Sequence, residues 1–474
     1  MLFKRSEGLT PSERLLAELC DRSFLKLWTY PNLFKKPSKE LTDLLVVFGN
    51  DVLVFSDKSC AFPNTGHSKL DWSRWFRRSV ARSAHQVDQA ERWLRTYPDQ
   101  VFLDARCAQP LPIRLPPPGK MRVHRICVAV GALDRAKAET AVRALRINPR
   151  IVDDAEPFTL GTVSHARGWV HIFDEDSIKV VLAELSTTSD LIHYLNSKVA
   201  LFEGGKFVFA ESELDILAYY LWNGRKFPQH ENEYRLEPSL WAKAQASPEF
   251  RAGREQNKIG EFWDGLIEYV TGHYLAQTLE YGNEMQMSEH ERLVRAMASE
   301  TRFSRRILSK LILERAEIAR NNAVSTLLPS DQADVNYVLF IGRGDQGKDH
   351  AAYRADRMLH LRSRCIAAKA VRPESRFIIG IALDARGVRG SSEDFIFWDT
   401  ADWTEKAILG AQKLREELGY FQPGQVIENE LIEGEYPTVR TTKNIAALAN
   451  ELSGLSVAES IQLAEMLRHR WTLA

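Results

Sequence analysis

The stretch from Glu40 to Lys58, ELTDLLVVFGNDVLVFSDK, constrains this chain more than any other part of it. Two runs of Val, Leu and Phe flank the turn-forming Gly49-Asn50-Asp51, which reads as a hairpin of two buried strands. Alternation along Asp51 to Lys58 puts Val52, Val54, Ser56 and Lys58 on one face, and Leu53, Phe55 and Asp57 on the other. Asp43 opens the first strand and Lys58 closes the second, so antiparallel pairing should bring them to one end of the hairpin. A carboxylate holding Mg²⁺ beside a lysine is what metal-dependent phosphodiester hydrolysis needs. The metal polarises the phosphate and activates water, and the lysine positions the nucleophile or stabilises developing charge.

The flanking segments extend this reading. Glu13 to Trp28 is amphipathic, with Leu16, Cys20, Phe24 and Trp28 spaced by four, and Glu13 lies on the inward edge of that stripe. Thr10-Pro11-Ser12-Glu13 also fits a capping box with Pro at the first helical position, a role compatible with a site role for Glu13. After the hairpin, His67 to Leu94 reads as one long helix mixing arginines with tryptophans. Arginines contact phosphates and planar side chains stack on bases. The alternative is a packing helix with a solvated basic face.

These residues resemble the PD-(D/E)XK nuclease superfamily, with its restriction-endonuclease-like fold. The pattern there is a Glu on a first helix, an Asp at a strand, and Asp/Glu-x-Lys on the next strand. Glu13, Asp43 and Lys58 take those places, while Ser56 stands where the last carboxylate is expected. The resemblance implies that Glu13, Asp43 and Asp57 hold Mg²⁺ or Mn²⁺, and that Ser56 or Asp57 completes the catalytic set with Lys58. Three routes are open. Ser56 ligands the metal directly or through water, Asp57 reaches round at a bulge, or the site is degraded; Glu40 is a further source of charge. Trp75, Arg77, Arg78, His85 and Gln86 are expected to line the substrate path, with Gln86 or His85 as the polar residue that such helices contribute. The resemblance covers about 90 residues.

Charge fits a nucleic-acid substrate. The whole chain is neutral, but residues 1–125 hold 21 Lys and Arg against 13 Asp and Glu, and a basic block favours a polyanion. DNA is expected rather than RNA. No apolar run has membrane-span length, and the N-terminus lacks a signal-peptide hydrophobic region. The five cysteines are scattered without zinc spacing. A soluble cytoplasmic enzyme follows as the expectation; a homo-oligomer and a protein partner are both left open by the sequence, and the modular size suits an antiviral defence effector by analogy.

The expected class is α/β (α+β): a restriction-endonuclease-like mixed sheet flanked by helices in residues 1–235, a helical region over 236–330, and a small α/β domain over 331–474. Strands are expected at 122–130, 169–173, 206–209, 336–341, 377–384 and 395–398, with a terminal helix at 456–470. Arg302, Arg305, Arg306, Lys310 and Arg315 read as one basic helical face, solvated or groove-forming. A second motif competes. Gly342-Arg-Gly-Asp-Gln-Gly347-Lys348-Asp349 matches a phosphate-binding loop except at its last position, and Asp384 ends an apolar strand as a Walker-B acid would. The competing functions are therefore a nuclease-fold binding or scaffold protein without chemistry, and a nucleotide-binding protein.

Overall fold

The computed structural model of the chain describes residues 5–139, 144–279, 282–345, 347, 349–388, 392–422 and 434–437. Its first helix, α1 (Pro11–Phe24), starts with the expected capping box: Thr10 accepts from the Glu13 N–H, and Glu13 accepts from the Thr10 N–H. Leu16, Cys20 and Phe24 face inward. The helix stops at Leu25, whose φ of 64° breaks it, so the expectation of a helix through Trp28 is corrected. A strand that the sequence did not announce follows at once, β1 (Thr29–Lys36). It carries Pro31, which is tolerated because β1 is an edge strand and Pro has no N–H to donate to the ladder.

The hairpin forms as expected from β2 (Lys39–Phe48) and β3 (Asp51–Ser59), joined by Gly49-Asn50 with Gly49 at φ 61°. Leu44 pairs with Phe55 and Phe48 with Asp51. β3 then runs parallel to β4 (Arg122–Val130), which is parallel to the strand Val170–Phe173. The result is a five-stranded mixed sheet, antiparallel through β3 and parallel beyond it. A parallel pair needs a crossover. Here α2 (Ser68–Phe76), a π-helical turn at Arg77–Ala81 and α3 (Arg82–Thr96) provide it. The long helix expected from 67 to 94 is present as a continuous run from Ser68 to Thr96, with the π-helical turn as a bulge inside it. Successive residues of β3 reach opposite helices: Ser56 meets Ser83 and Gln86 of α3, whereas Asp57 lies beside Ser12 of α1. The sheet is covered on both faces.

Residues beyond this sheet are mostly helical up to Ile318, with helices at Glu261–Ala276, Met287–Ala298 and Arg302–Ile318. The basic-face reading of the last helix is corrected. Arg302, Arg305 and Arg306 are buried, and Arg302 and Arg305 share Asp264 at 2.7 and 2.5 Å. A second, four-stranded sheet contains Val324–Leu328, Val335–Gly342, Phe377–Asp384 and Asp394–Asp399, in that order. One hydrophobic cluster runs from Leu16 of α1 to Ala385, so the regions expected as separate domains share a core. The helix expected at 456–470 lies outside the described residues.

Candidate functional site

Asp43 is the centre of a polar chain at the end of the β2–β3 hairpin. Its Oδ2 accepts from the Asp57 main-chain N–H at 2.6 Å, and the Lys58 ammonium lies 3.5 Å from the same oxygen. Its Oδ1 accepts from Gln86 Nε2 at 3.1 Å, and Gln86 Oε1 in turn accepts from the Ser56 hydroxyl at 3.3 Å. Asp43 and Ser56 are buried, while Lys58 is about a quarter exposed, at 26% of its side chain. The lysine also donates to the Asp57 carbonyl at 3.3 Å. Four of the residues expected from sequence, Asp43, Ser56, Lys58 and Gln86, therefore meet on the α3 side of the sheet, as the period-two alternation requires.

The other carboxylates are arranged differently. Asp57 is buried on the α1 side, and its Oδ1 has no hydrogen-bond partner among the described residues. Burial, with Asp43 and Glu13 nearby, raises its pKa against the pull of Ser12 and Lys58. Glu13 Oε2 is occupied by the Leu9 and Thr10 N–H groups and by Asn32 Nδ2 at 2.9 Å. Burial opposes its ionised form, but these hydrogen bonds hold its pKa below the ordinary value. Glu40 is raised, first by burial and then by Asp43 and Glu13. Among the described residues no three His, Cys, Asp or Glu side chains gather as a metal-binding group, so Glu13, Asp43 and Asp57 do not form one joint ligand set.

Two basic clefts lie along the helices after the hairpin, and the first reaches the polar chain through Gln86. One, of about 250 Å³, is lined by Lys35, Glu40, Leu41, Arg82, His85, Gln86 and Gln89. The sequence reading missed Lys35, Arg82 and Gln89. Arg82 and Gln89 stand four residues before and three after Gln86, the helical spacing that shares a face. The other, of about 690 Å³, contains Arg74, Arg77 and Arg78 beside Phe62. Trp75 does not line either cleft, and its expected substrate role is corrected. It is fully buried, stacks on Trp72 at 5.2 Å and donates its indole N–H to the Val130 carbonyl.

The glycine-rich loop of the second sheet has another construction from that expected of a nucleotide site. Asp349 caps the helix His350–Val371 by accepting from the Ala352 N–H at 2.9 Å. Asp384 accepts from Tyr353, from Arg357 at 2.7 Å and from the Ser392 N–H at 3.0 Å, so both oxygens serve the protein's own donors. Lys348 lies outside the described residues.

No protein-family model, curated protein or solved structure matches this chain. Its donor set must stand on its own chemistry. Mg²⁺ keeps several waters and is commonly held by one or two carboxylates together with substrate phosphate oxygens. Asp43 supplies one carboxylate, whose Oδ1 accepts a single described hydrogen bond, and the Ser56 hydroxyl and Gln86 carbonyl adjoin it. An ion held here would have one protein carboxylate and would need water and substrate oxygens for the rest of its shell.

Proposed function

We propose that the chain is a metal-dependent nuclease that hydrolyses phosphodiester bonds, with DNA as the favoured polymer. The observation that carries this reading is the approach of the Lys58 ammonium to Asp43 Oδ2, with Gln86 on the opposite oxygen. The order α1-β1-β2-β3-helix-β4, with an antiparallel hairpin leading through a helical crossover to a parallel strand, supports the restriction-endonuclease-like fold. A divalent ion beside Asp43, with Ser56 and Gln86 as neighbouring donors, would neutralise the phosphate and make bound water acidic. Lys58 donates hydrogen bonds to the attacking water or to a non-bridging phosphate oxygen as negative charge builds there. Asp43 aims the ammonium, Gln86 fixes the carboxylate, and Ser56 fixes Gln86. The arginines of the two clefts give the polyanion its path.

The test is incubation of the purified protein with circular DNA, linear DNA and RNA, in Mg²⁺, Mn²⁺ or EDTA, beside Lys58→Ala. Metal-dependent cleavage lost in the variant is the expected result. Equal cleavage by both proteins would place the chemistry elsewhere. A second reading, a binding or scaffold protein that keeps the fold without the reaction, is favoured by Ser56 at the position of a carboxylate. It predicts nucleic-acid retention without cleavage and no Mn²⁺ binding that depends on Asp43.

A further inference from the structure

Far along the chain from the Asp43 site, residues 434–437 (Gly-Glu-Tyr-Pro) lie in a groove between the helix Pro248–Asn257 and the loop after the helix Glu213–Trp222. Each contact has the character of peptide recognition. Arg225 forks onto Glu435, with Nε to Oε2 at 2.9 Å and Nη2 to Oε1 at 2.6 Å. Arg306 reads the main chain, donating to the carbonyls of Glu435 at 3.0 Å and Gly434 at 3.1 Å. The Tyr436 ring stacks on Phe250 with centroids 5.2 Å apart. Gly253 makes room: a Cβ there would lie 2.6 Å from the Glu435 carbonyl oxygen and 2.7 Å from the Tyr436 ring.

The groove is built around buried charge. Arg225 is 13% exposed at its side chain and pairs on its other side with Asp190 at 3.0 Å, while Arg306 is buried outright. Asp190 is also committed, accepting from the Arg302 N–H at 2.9 Å. Asp190 and Glu184 are the other carboxylates near Arg225, the first engaged by the Arg302 N–H and the second by Arg254, so a buried arginine is matched best by an anionic occupant that takes its bidentate fork. The segment that fills it belongs to no strand or helix, and it adds one aromatic ring to the adjoining core. A tethered peptide meets its site at about millimolar effective concentration. Such a groove can therefore stay filled in cis even if its affinity for the free sequence is modest.

We propose that residues 434–437 form a displaceable latch: a Glu-Tyr peptide seated in a groove that recognises this sequence and accepts it in trans once the chain's own copy is removed. The proposal is independent of the chemistry at Asp43.

The test uses the full chain carrying Glu435→Ala and Tyr436→Ala, and a fluorescent peptide spanning residues 433–438 of the sequence. The variant should stay folded and bind one peptide saturably. A peptide with Gln in place of Glu435 should bind at least tenfold more weakly, and the wild-type chain should take up little. A folded variant that does not bind the peptide overturns the proposal, as does equal binding of the Glu and Gln peptides. If the double variant fails to fold, Glu435→Gln decides. It keeps the ring and the shape but loosens the fork, so a latch predicts peptide uptake at least several-fold above wild type. Uptake equal to wild type would make the segment an integral part of the core.

Discussion

Lys58 and Asp43 meet across the open end of a hairpin, the ammonium 3.5 Å from Oδ2, on the same oxygen that accepts the Asp57 N–H. The two partners differ in how much they owe to the fold. Asp43 is buried at the convergence of three donors, whereas Lys58 reaches partly into solvent.

That asymmetry separates stability from activity. Lys58→Met should change unfolding stability by no more than about 1 kcal/mol, because a partly exposed ion pair contributes little. It should lower cleavage about 10²- to 10³-fold, the cost typical of removing one donor to developing charge. Asp43→Ala strands the Asp57 N–H and should destabilise by about 1–3 kcal/mol. Urea denaturation of both variants at pH 7, beside cleavage rates, checks this. A larger stability loss in Lys58→Met than in Asp43→Ala would mark the pair as structural.

Ser56 gives a sharper test of the metal. It is fully buried, hydrogen-bonded to Ser83 and Gln86, and one neighbour away from Asp43. Ser56→Asp puts a second carboxylate on the α3 face. Without metal that carboxylate is buried beside a like charge, which should cost about 2 kcal/mol or more and lower the melting midpoint by about 2 °C or more. Added Mn²⁺ should restore the variant far more than it shifts wild type. A midpoint lowered equally in EDTA and in Mn²⁺ would sink the idea that this face holds a divalent ion.

The hairpin and most of its polar chain were legible because they rest on period two. Once Ser56 and Asp43 share a face, a helix packed on that face must meet them, and Gln86 does. β1 was not legible: Pro31, Asn32 and two lysines hide an edge strand that pairs on only one side. Trp75 shows the opposite limit. Interleaved Arg and Trp looks like a nucleic-acid surface, but a helix packed on a sheet needs large side chains on its inner face, and the tryptophan took that place. Arg302, Arg305 and Arg306 read as a surface because their partners, Asp264, Asn257 and residues 434–435, are distant in sequence. The Glu-Tyr groove was invisible for the same reason.

Glu184 should make stability fall as pH rises. It closes the helix Ser177–Glu184, its side chain is 7% exposed, and Arg254 lies 3.0 Å away. Burial lifts its pKa to about 7, against Arg254 and Arg225 and with help from Glu435. A carboxyl raised in the folded state binds its proton more tightly there than in the unfolded chain. Its destabilising contribution is absent below the unfolded value near 4.5, grows through pH 7 and is constant above it. Glu184→Gln should match wild type at pH 4 and exceed it at pH 8, by up to about 3 kcal/mol from the size of the shift. Denaturant midpoints at the two pH values measure the difference. A variant less stable than wild type at pH 8 would mean that the charged pair with Arg254 outweighs the burial.

His290 should act in the other direction. Its ring stacks on Tyr274 with centroids 3.9 Å apart and planes 8° from parallel, and its buried Nε2 has no hydrogen-bond partner among the described residues. Burial alone lowers its pKa to about 4. The unfolded chain therefore takes up a proton near pH 6.5 that the folded chain refuses until about pH 4, and stability is lost as the pH falls through that window. The full loss is about 3 kcal/mol. Above pH 7 the imidazole is neutral in both states and contributes no slope. His290→Phe preserves a flat ring against Tyr274 and removes the titration. The stability difference, variant minus wild type, should be constant from pH 7 to 8 and should rise steadily from pH 6.5 down to 4.5. Subtracting the two curves cancels the carboxylates that titrate in both proteins, so a difference that stays constant across the acid range would show that His290 accepts its proton within the folded chain.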